Sequence, residues 1–531
     1  MTGVTAIAAD PDDLVARFVR PDMHVHLAMT IARPNAATYA LARVFTGRGS
    51  LTVSTAAVHS AAHALALSGA VGRMITCFLG DTYPTPRPNA LYRDLAADDP
   101  FRTEVWSLLS LVQRLVAGAM GLPFAVTKSL RGSDLTRGKD LGDVGDALLV
   151  GALRPDVTIL HGVCADRRGN VVLSQPLGEG VWSTYAATEG VLATVERIVP
   201  DSVVDQYPDR VVVPGSRVIA VCEAPGGAHP QSLRTADIDG IAGYPDDYDF
   251  LADLASHGRT RADMERWYQD WVVDVVDHAG YLKKLAARTA RTRPTVAPTP
   301  DGTPLERAIV LGVRAIEKRV AEDGYNTLLA GIGPSHVAAW LASDRLRARG
   351  IDVRVCAELG FYGQVPTPGD VYLFSTAHRS EGLSGIVEVL GGLVGANDRC
   401  LGVLSTAEVD PLGNLNTCLR PDGRWITGSG GANDIASTTD TVVIATASPR
   451  RYVAEVAHVT SPGHRVREVV SQHGRFRRHG RRFRPATRLP GTPADAVPGW
   501  PAFTDECATE AAIDAAELAA LRRLDPAGFY R

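Results

Sequence analysis

The chain has 531 residues, 45% of them hydrophobic and 21% charged, the balance of a globular protein too long for one ordinary core, so about two to four domains are expected. The formal net charge is −4, which leaves no global basic field for nucleic acid.

The N-terminus has no basic segment followed by a long apolar one, and the most apolar stretch, 61–71, is broken by His63, Ser68 and Gly69. Neither a targeting peptide nor a membrane span is expected. His24 and His26 alternate in a strand-like segment with no third ligand in view, so no metal is assigned. A helix is expected over 104–119 and strands over 157–162 and 218–222. His229, in Glu223-Ala-Pro-Gly-Gly-Ala-His-Pro230, is either a structural histidine or one presented to a cleft. Residues 291–304 hold four prolines and no apolar period, and read as a linker between a domain over 1–290 and one over 305–531.

A helix starts directly after it. Thr303 is the expected cap, Pro304 the first helical residue and Glu306 the reciprocal partner, with Leu305, Ile309, Val313, Ile316 and Val320 on one face. Then come a strand over 327–330, a tight turn Gly331-Ile-Gly-Pro334, a helix over 335–349 and a strand over 352–357. Strand, glycine turn, helix, strand is the grammar of a parallel sheet with helices on both faces. The stretch Gly474-Arg-Phe-Arg-Arg-His-Gly-Arg-Arg-Phe-Arg484 reads as a solvated hairpin, with a polyphosphate or nucleic-acid patch as the alternative. From about 504 onward a short amphipathic helix and a tail are expected. The seven cysteines are scattered with no C-x-x-C, which points to a reducing, cytoplasmic setting.

One phrase occurs twice. Asp166-Arg-Arg-Gly-Asn170 and Asp410-Pro-Leu-Gly-Asn414 each follow an apolar run, 244 positions apart. The distance excludes a solenoid and suggests two related domains in tandem. The first-half strand end taken to match that of Glu358 is Thr76-Cys-Phe-Leu-Gly80, which offers no carboxylate.

Three features carry chemistry. Glu358 follows a strand and opens Glu358-Leu-Gly360, at the edge where sheets of this kind hold their sites. Thr427-Gly-Ser-Gly-Gly-Ala-Asn-Asp434 has three glycines in four residues, so backbone N–H groups can approach a phosphate or an oxyanion closely. Gly331-Ile-Gly333 opens a helix whose N-terminus suits an anion. Each also has a plain structural reading. No G-x-S-x-G, Walker A or dinucleotide fingerprint is present.

Together these strings resemble the family I CoA-transferases, the glutaconate CoA-transferase group in particular, with α-type and β-type halves fused. The resemblance rests on 111–124, 154–170 and 225–230 in the first half, and on Gly331-Ile-Gly333, Glu358-Leu-Gly360, 408–416 and Gly428–Asp434 in the second. It implies two tandem α/β domains, each an open, mostly parallel sheet with helices on both faces. It implies Glu358 as nucleophile and Gly430 or Gly431 as oxyanion donor, with Asn433, Gly331 and Gly333 completing the substrate-binding set. Acyl-CoA and a carboxylic acid would be the partners. Coenzyme A would be substrate and not a bound cofactor, and no ATP or metal is needed because thioester energy passes covalently. Further association of chains is left open.

Departures from the family pattern matter. Leu359 replaces the usual Ser or Asn, Glu408 stands where Gln is common, and Met23-His-Val-His-Leu-Ala-Met29 lacks the usual glycine pair. A hydrolase on the same fold is the main alternative. Its α-half glutamate would fall at Leu108, which favours transfer. A ligand-sensing module without catalysis is the third reading.

Overall fold

The computed structural model describes residues 5–235, 237–289 and 296–531. Of the expected linker, 291–295 lie outside the described residues; Val296 donates its N–H to Ala527 O (3.3 Å) and Pro304 already opens a helix. No described helix is long and apolar enough to cross a membrane.

Two mostly parallel sheets form, as the βαβ grammar requires. In the first half the strand order is Ala6–Ile7, Val218–Glu223, Gly190–Ile198, Val157–Ala165, His24–Leu27, Leu51–Ser54, Val71–Thr76, Arg102–Val105, every neighbouring pair parallel. In the second it is Arg354–Cys356, Thr327–Ala330, Cys400–Leu404, Asp440–Ile444 and Val466–Val470, all parallel. The antiparallel hairpin Gly474–His479 and Arg482–Arg488 and the short strand Ala508–Thr509 then extend it.

The repeated phrase folds into the same turn twice. Asn170 N–H donates to Asp166 Oδ1 (2.8 Å), Asn170 Nδ2 to Asp166 Oδ2 (2.8 Å), and Gly215 N–H to Asn170 Oδ1 (2.9 Å). Asn414 bonds Asp410 in the same way (3.0 and 3.1 Å), and Gly463 N–H donates to Asn414 Oδ1 (3.0 Å). Gly169 and Gly413 take φ of +86° and +83°, where a side chain would be strained.

These turns fix a correspondence between the halves. Val157 and Leu401 each stand nine residues before the Asp of their turn. Val157 pairs Val25, which pairs Val53; Leu401 pairs Leu328, which pairs Val355. Val53 thus matches Val355, and three residues on, Ala56 matches Glu358. This corrects the expected match at 76–80, because Val71–Thr76 is the next strand outward.

The second half starts as its sequence predicts. Thr303 Oγ1 accepts from Glu306 N–H (3.1 Å) and Glu306 Oε2 from Thr303 N–H (2.8 Å), capping the helix Pro304–Asp323. Ile309, Val313, Ile316 and Val320 are buried, with Leu305 partly so. Other boundaries move. The expected helix over 104–119 is the helix Leu108–Ala119, capped by Ser107, while Arg102–Val105 joins the sheet edge. The basic stretch is a hairpin but not a wholly solvated one. Arg475 is buried between Glu468 (2.9 Å) and Glu510 (2.5 Å). The C-terminal tail packs inward: Tyr530 is buried and its hydroxyl donates to Pro84 O (3.1 Å).

Candidate active site

Glu358 is held at the tip of a tight turn. After Arg354–Cys356, Ala357 N–H donates to Phe361 O (3.0 Å) and Gly360 N–H to Ala357 O (3.1 Å). The turn then pairs as Phe361–Tyr362 with Gly382–Leu383. Gly360 has φ of +120°, and a Cβ there would stand 2.3 Å from Ser384 O. Only glycine fits, so Glu-x-Gly is a geometric requirement of the turn.

The glycine segment crosses between the halves. Leu79 N–H donates to Thr427 O (2.7 Å), Gly430 N–H to Cys77 O (3.1 Å), and Leu108 N–H to Gly430 O (3.0 Å). Asn433 Oδ1 accepts from Leu130 N–H (2.8 Å), and its amide donates to Thr460 O (2.9 Å). Two sequence expectations change here. Gly430 was one of two expected oxyanion donors, but its N–H is taken by Cys77. Asn433 is fully buried and stitches loops together, and it borders neither of the cavities described below. Gly431 N–H instead lies beside the Glu358 carboxylate and favours its ionised form, and a Cβ on Gly431 would come within 2.1 Å of Glu358 Oε2.

Burial pushes the Glu358 carboxyl up to about 7, with the Asp434 carboxylate adding to the rise and the Gly431 N–H opposing it. Asp434 is itself buried and pushed up to about 6, chiefly by burial, although Leu109 N–H donates to its Oδ2 (2.9 Å). The sequence placed Asp434 in a motif but gave it no role. Its proximity to Glu358 depends on the fold.

Two cavities meet at Glu358. One, of about 580 Å³, lies over the second sheet, bordered by Gly331, Gly333, Glu358, Gly430 and Gly431 and rimmed by Arg420, Arg450 and Arg451. The other, of about 60 Å³, is walled mainly by the first half, including Met29, Arg33, Ala56, His59 and Asp246, and also by Leu108 and Leu359. Glu358, Phe78, Ile332 and Gly430 border both. Gly331 and Gly333 reach the large cavity, yet their N–H groups serve Val403 O (3.0 Å) and His336 Nδ1 (2.9 Å).

Other candidates lie elsewhere. Glu408 is buried and accepts from Asn416 Nδ2 (2.7 Å), bordering neither cavity. His229 is bonded to the Tyr281 hydroxyl (2.6 Å) and to Asp247 (3.1 Å) as a structural histidine. His24 and His26 both reach Ser54 Oγ (2.8 Å each), and His26 also pairs with Glu179 (2.9 Å). Arg33 and Asp246 escaped sequence reasoning, since no local pattern marks them.

Residues 8–224 match the coenzyme A transferase family. That match takes in most of the first sheet. The chain is 33% identical over 183 residues to one subunit of the 3-oxoadipate CoA-transferase of Pseudomonas knackmussii, covering 33% of this chain and 61% of that relative. It thus spans less than two thirds of that relative's length. The glutaconate CoA-transferase of Acidaminococcus fermentans matches through both of its polypeptides. One is 27% identical over 300 residues, covering 52% of this chain and 90% of that polypeptide. The other is 37% identical over 71 residues, covering 12% and 26%. A crystal structure of an acyl-CoA transferase from E. coli O157:H7, in thioester complex with CoA, superposes with a TM-score of 0.68 at 16% identity, over 97% of each chain. The CoA-transferase fold thus runs through both halves of this chain.

Proposed function

We propose that the chain transfers CoA from an acyl-CoA to a carboxylic acid through a glutamyl-CoA thioester on Glu358. In this reading residues 1–290 form the α-type half and 305–531 the β-type half carrying the nucleophile. The observation that carries the reading is Glu358 in the wall common to two cavities, one large and rimmed by arginines, the other small and lined mainly by the first half. The large one suits the CoA arm and its phosphates; the small one suits a short acyl group.

The chemistry follows from that position. Glu358 carboxylate attacks the thioester carbon and the C–S bond breaks, giving a mixed anhydride and CoA thiolate. The thiolate attacks the glutamyl carbonyl, the anhydride C–O bond breaks, and the first acid leaves with an oxygen that came from Glu358. A second acid attacks the glutamyl-CoA thioester and the steps run in reverse. Gly431 N–H, beside the Glu358 carboxylate, is the donor for the oxyanion formed at that carbon, worth about 3–4 kcal/mol if well aligned. Leu108 supports transfer over hydrolysis, being apolar where the hydrolase carboxylate would stand.

The test is chemical trapping. Incubation with an acyl-CoA, borohydride reduction and peptide mass spectrometry should find Glu358 converted to its alcohol; an active enzyme with that peptide unmodified defeats the proposal. Gly431→Ala is expected to lower kcat about 10²-fold by displacing the nucleophile. Its backbone, at φ −84°, accepts alanine, so thermal melting should barely move. A large loss of stability with kcat intact would contradict this.

A further inference from the structure

The first half holds a strongly charged cavity that the transfer chemistry does not use. It measures about 390 Å³ and is lined by five cations, Arg73, Arg102, Arg114, Arg137 and Lys139, against two carboxylates, Glu104 and Asp140. None of its lining residues borders either cavity at Glu358. Such an excess of cations stands out on a chain whose net charge is −4. Sheet register builds part of it. Arg73 and Arg102 are partners on neighbouring parallel strands, and like charges side by side disfavour the pairing.

Glu104 is already committed. Its Oε2 accepts from Arg73, and its Oε1 from Arg114 (3.1 Å) and from the Trp106 indole (2.6 Å). Trp106 is buried, and two cations stand over its ring, Arg114 Cζ at 4.1 Å from the centroid and Lys139 Nζ at 5.1 Å. Lys139 Nζ donates to Leu135 O (2.6 Å), but neither Lys139 nor Arg102 makes an ion pair among the described residues. Arg137 pairs with Asp134 (2.8 Å), and Asp140 is exposed. Burial draws the Lys139 ammonium down to about 8, with Arg114 adding to the fall and Glu104 opposing it. It is still mainly charged at neutral pH. An unpaired, half-buried ammonium held near another cation carries a cost that a bound anion relieves.

We infer that this cavity binds a small polyphosphate, at a site separate from the one proposed for CoA. Phosphoryl oxygens match the forked guanidinium groups and the point charge of Lys139. An excess of several cations in one cavity suits a diphosphate better than a single carboxylate. Arg114 lies midway along the helix Leu108–Ala119, whose first N–H groups bond Gly430 O and Asp434 Oδ2. The site therefore adjoins the glycine segment at Glu358 without entering it, and it stands whether or not the transfer reading does.

The test is calorimetric titration of the full chain with pyrophosphate and with ADP, in saturating CoA so that the site of CoA is already filled. At least one probe should bind with Kd below about 0.5 mM at about 0.1 M salt, and more weakly as salt rises. Lys139→Met and Arg102→Gln should each weaken that binding by about 5-fold or more. Tighter binding of ADP assigns the diphosphate of a nucleotide, and tighter binding of pyrophosphate assigns the free polyphosphate. Binding of neither probe up to about 5 mM overturns the inference, because so charged a site would hold one of them. Affinity that survives both substitutions overturns it as well. Arg102 is exposed, so Arg102→Gln keeps the test decisive even if Lys139→Met does not fold.

Discussion

Glu358→Gln should give a folded protein whose transfer turnover is lower by about 10⁴-fold or more, the scale seen when a covalent nucleophile is removed. The amide is nearly isosteric but cannot take up the acyl group as a carboxylate does. The same variant should be more stable than the parent at alkaline pH. The folded carboxyl titrates at about 7 against 4.5 for the free group, so ionised Glu358 opposes folding. That penalty is absent below about pH 4.5, grows as pH rises to 7 and is complete above it, reaching about 3 kcal/mol. Melting curves of the two proteins should therefore separate at pH 8 and converge near pH 4.5. In the parent, kcat/KM should fall as pH drops below about 7, because protonation removes the nucleophile. A gap that widens toward acid pH would reverse the sign assigned to the Glu358 carboxyl.

Gly360→Ala carries the second largest expected effect, on stability. The residue sits at φ +120°, and its new Cβ would meet Ser384 O at 2.3 Å and Ser384 C at 2.6 Å. Ser384 O also accepts Leu177 N–H (2.9 Å) from the first half, and Ser384 N–H donates to Gly360 O (2.8 Å). The clash is with backbone directly after the paired strand Gly382–Leu383 and cannot be relieved by turning a side chain. A loss of about 3 kcal/mol is expected, which lowers the melting midpoint by about 5–10 °C, along with a fall in kcat as the Glu358 turn deforms. Gly431→Ala should show the opposite split, because the atom it strikes is the mobile end of Glu358.

What was legible in the sequence follows from range. The turn holding Glu358 is closed by bonds within five residues, so Glu-x-Gly after a strand identifies it. The capping of Pro304–Asp323 is likewise local, and the Asp-x-x-Gly-Asn turns announce duplication because each closes on itself. The role of Gly430 is not legible because its N–H partner, Cys77, arrives from the other half. The helix expected from residue 104 starts at Leu108 because pairing with Val71–Thr76 draws Arg102–Val105 into the sheet, overriding local periodicity. Arg33 and Asp246 lie over 200 residues apart in sequence and become significant only when folding buries both beside Glu358. The ladder register also replaces the match expected at 76–80, which rested on local resemblance alone. The counterpart of Glu358 is Ala56, which faces the same small cavity without a carboxylate.

The central claim is that one carboxylate at the meeting of two cavities carries the group being transferred. It is tested most directly by following oxygen. The enzyme is turned over with the acyl-CoA it uses best and with the matching free acid labelled with ¹⁸O in its reacting carboxylate. The Glu358 peptide is then weighed by mass spectrometry. Transfer through an anhydride moves one acid oxygen to the glutamate at each return step, so that peptide should gain ¹⁸O and its neighbours none. An enzyme that turns over fully while the Glu358 peptide stays unlabelled would contradict the claim.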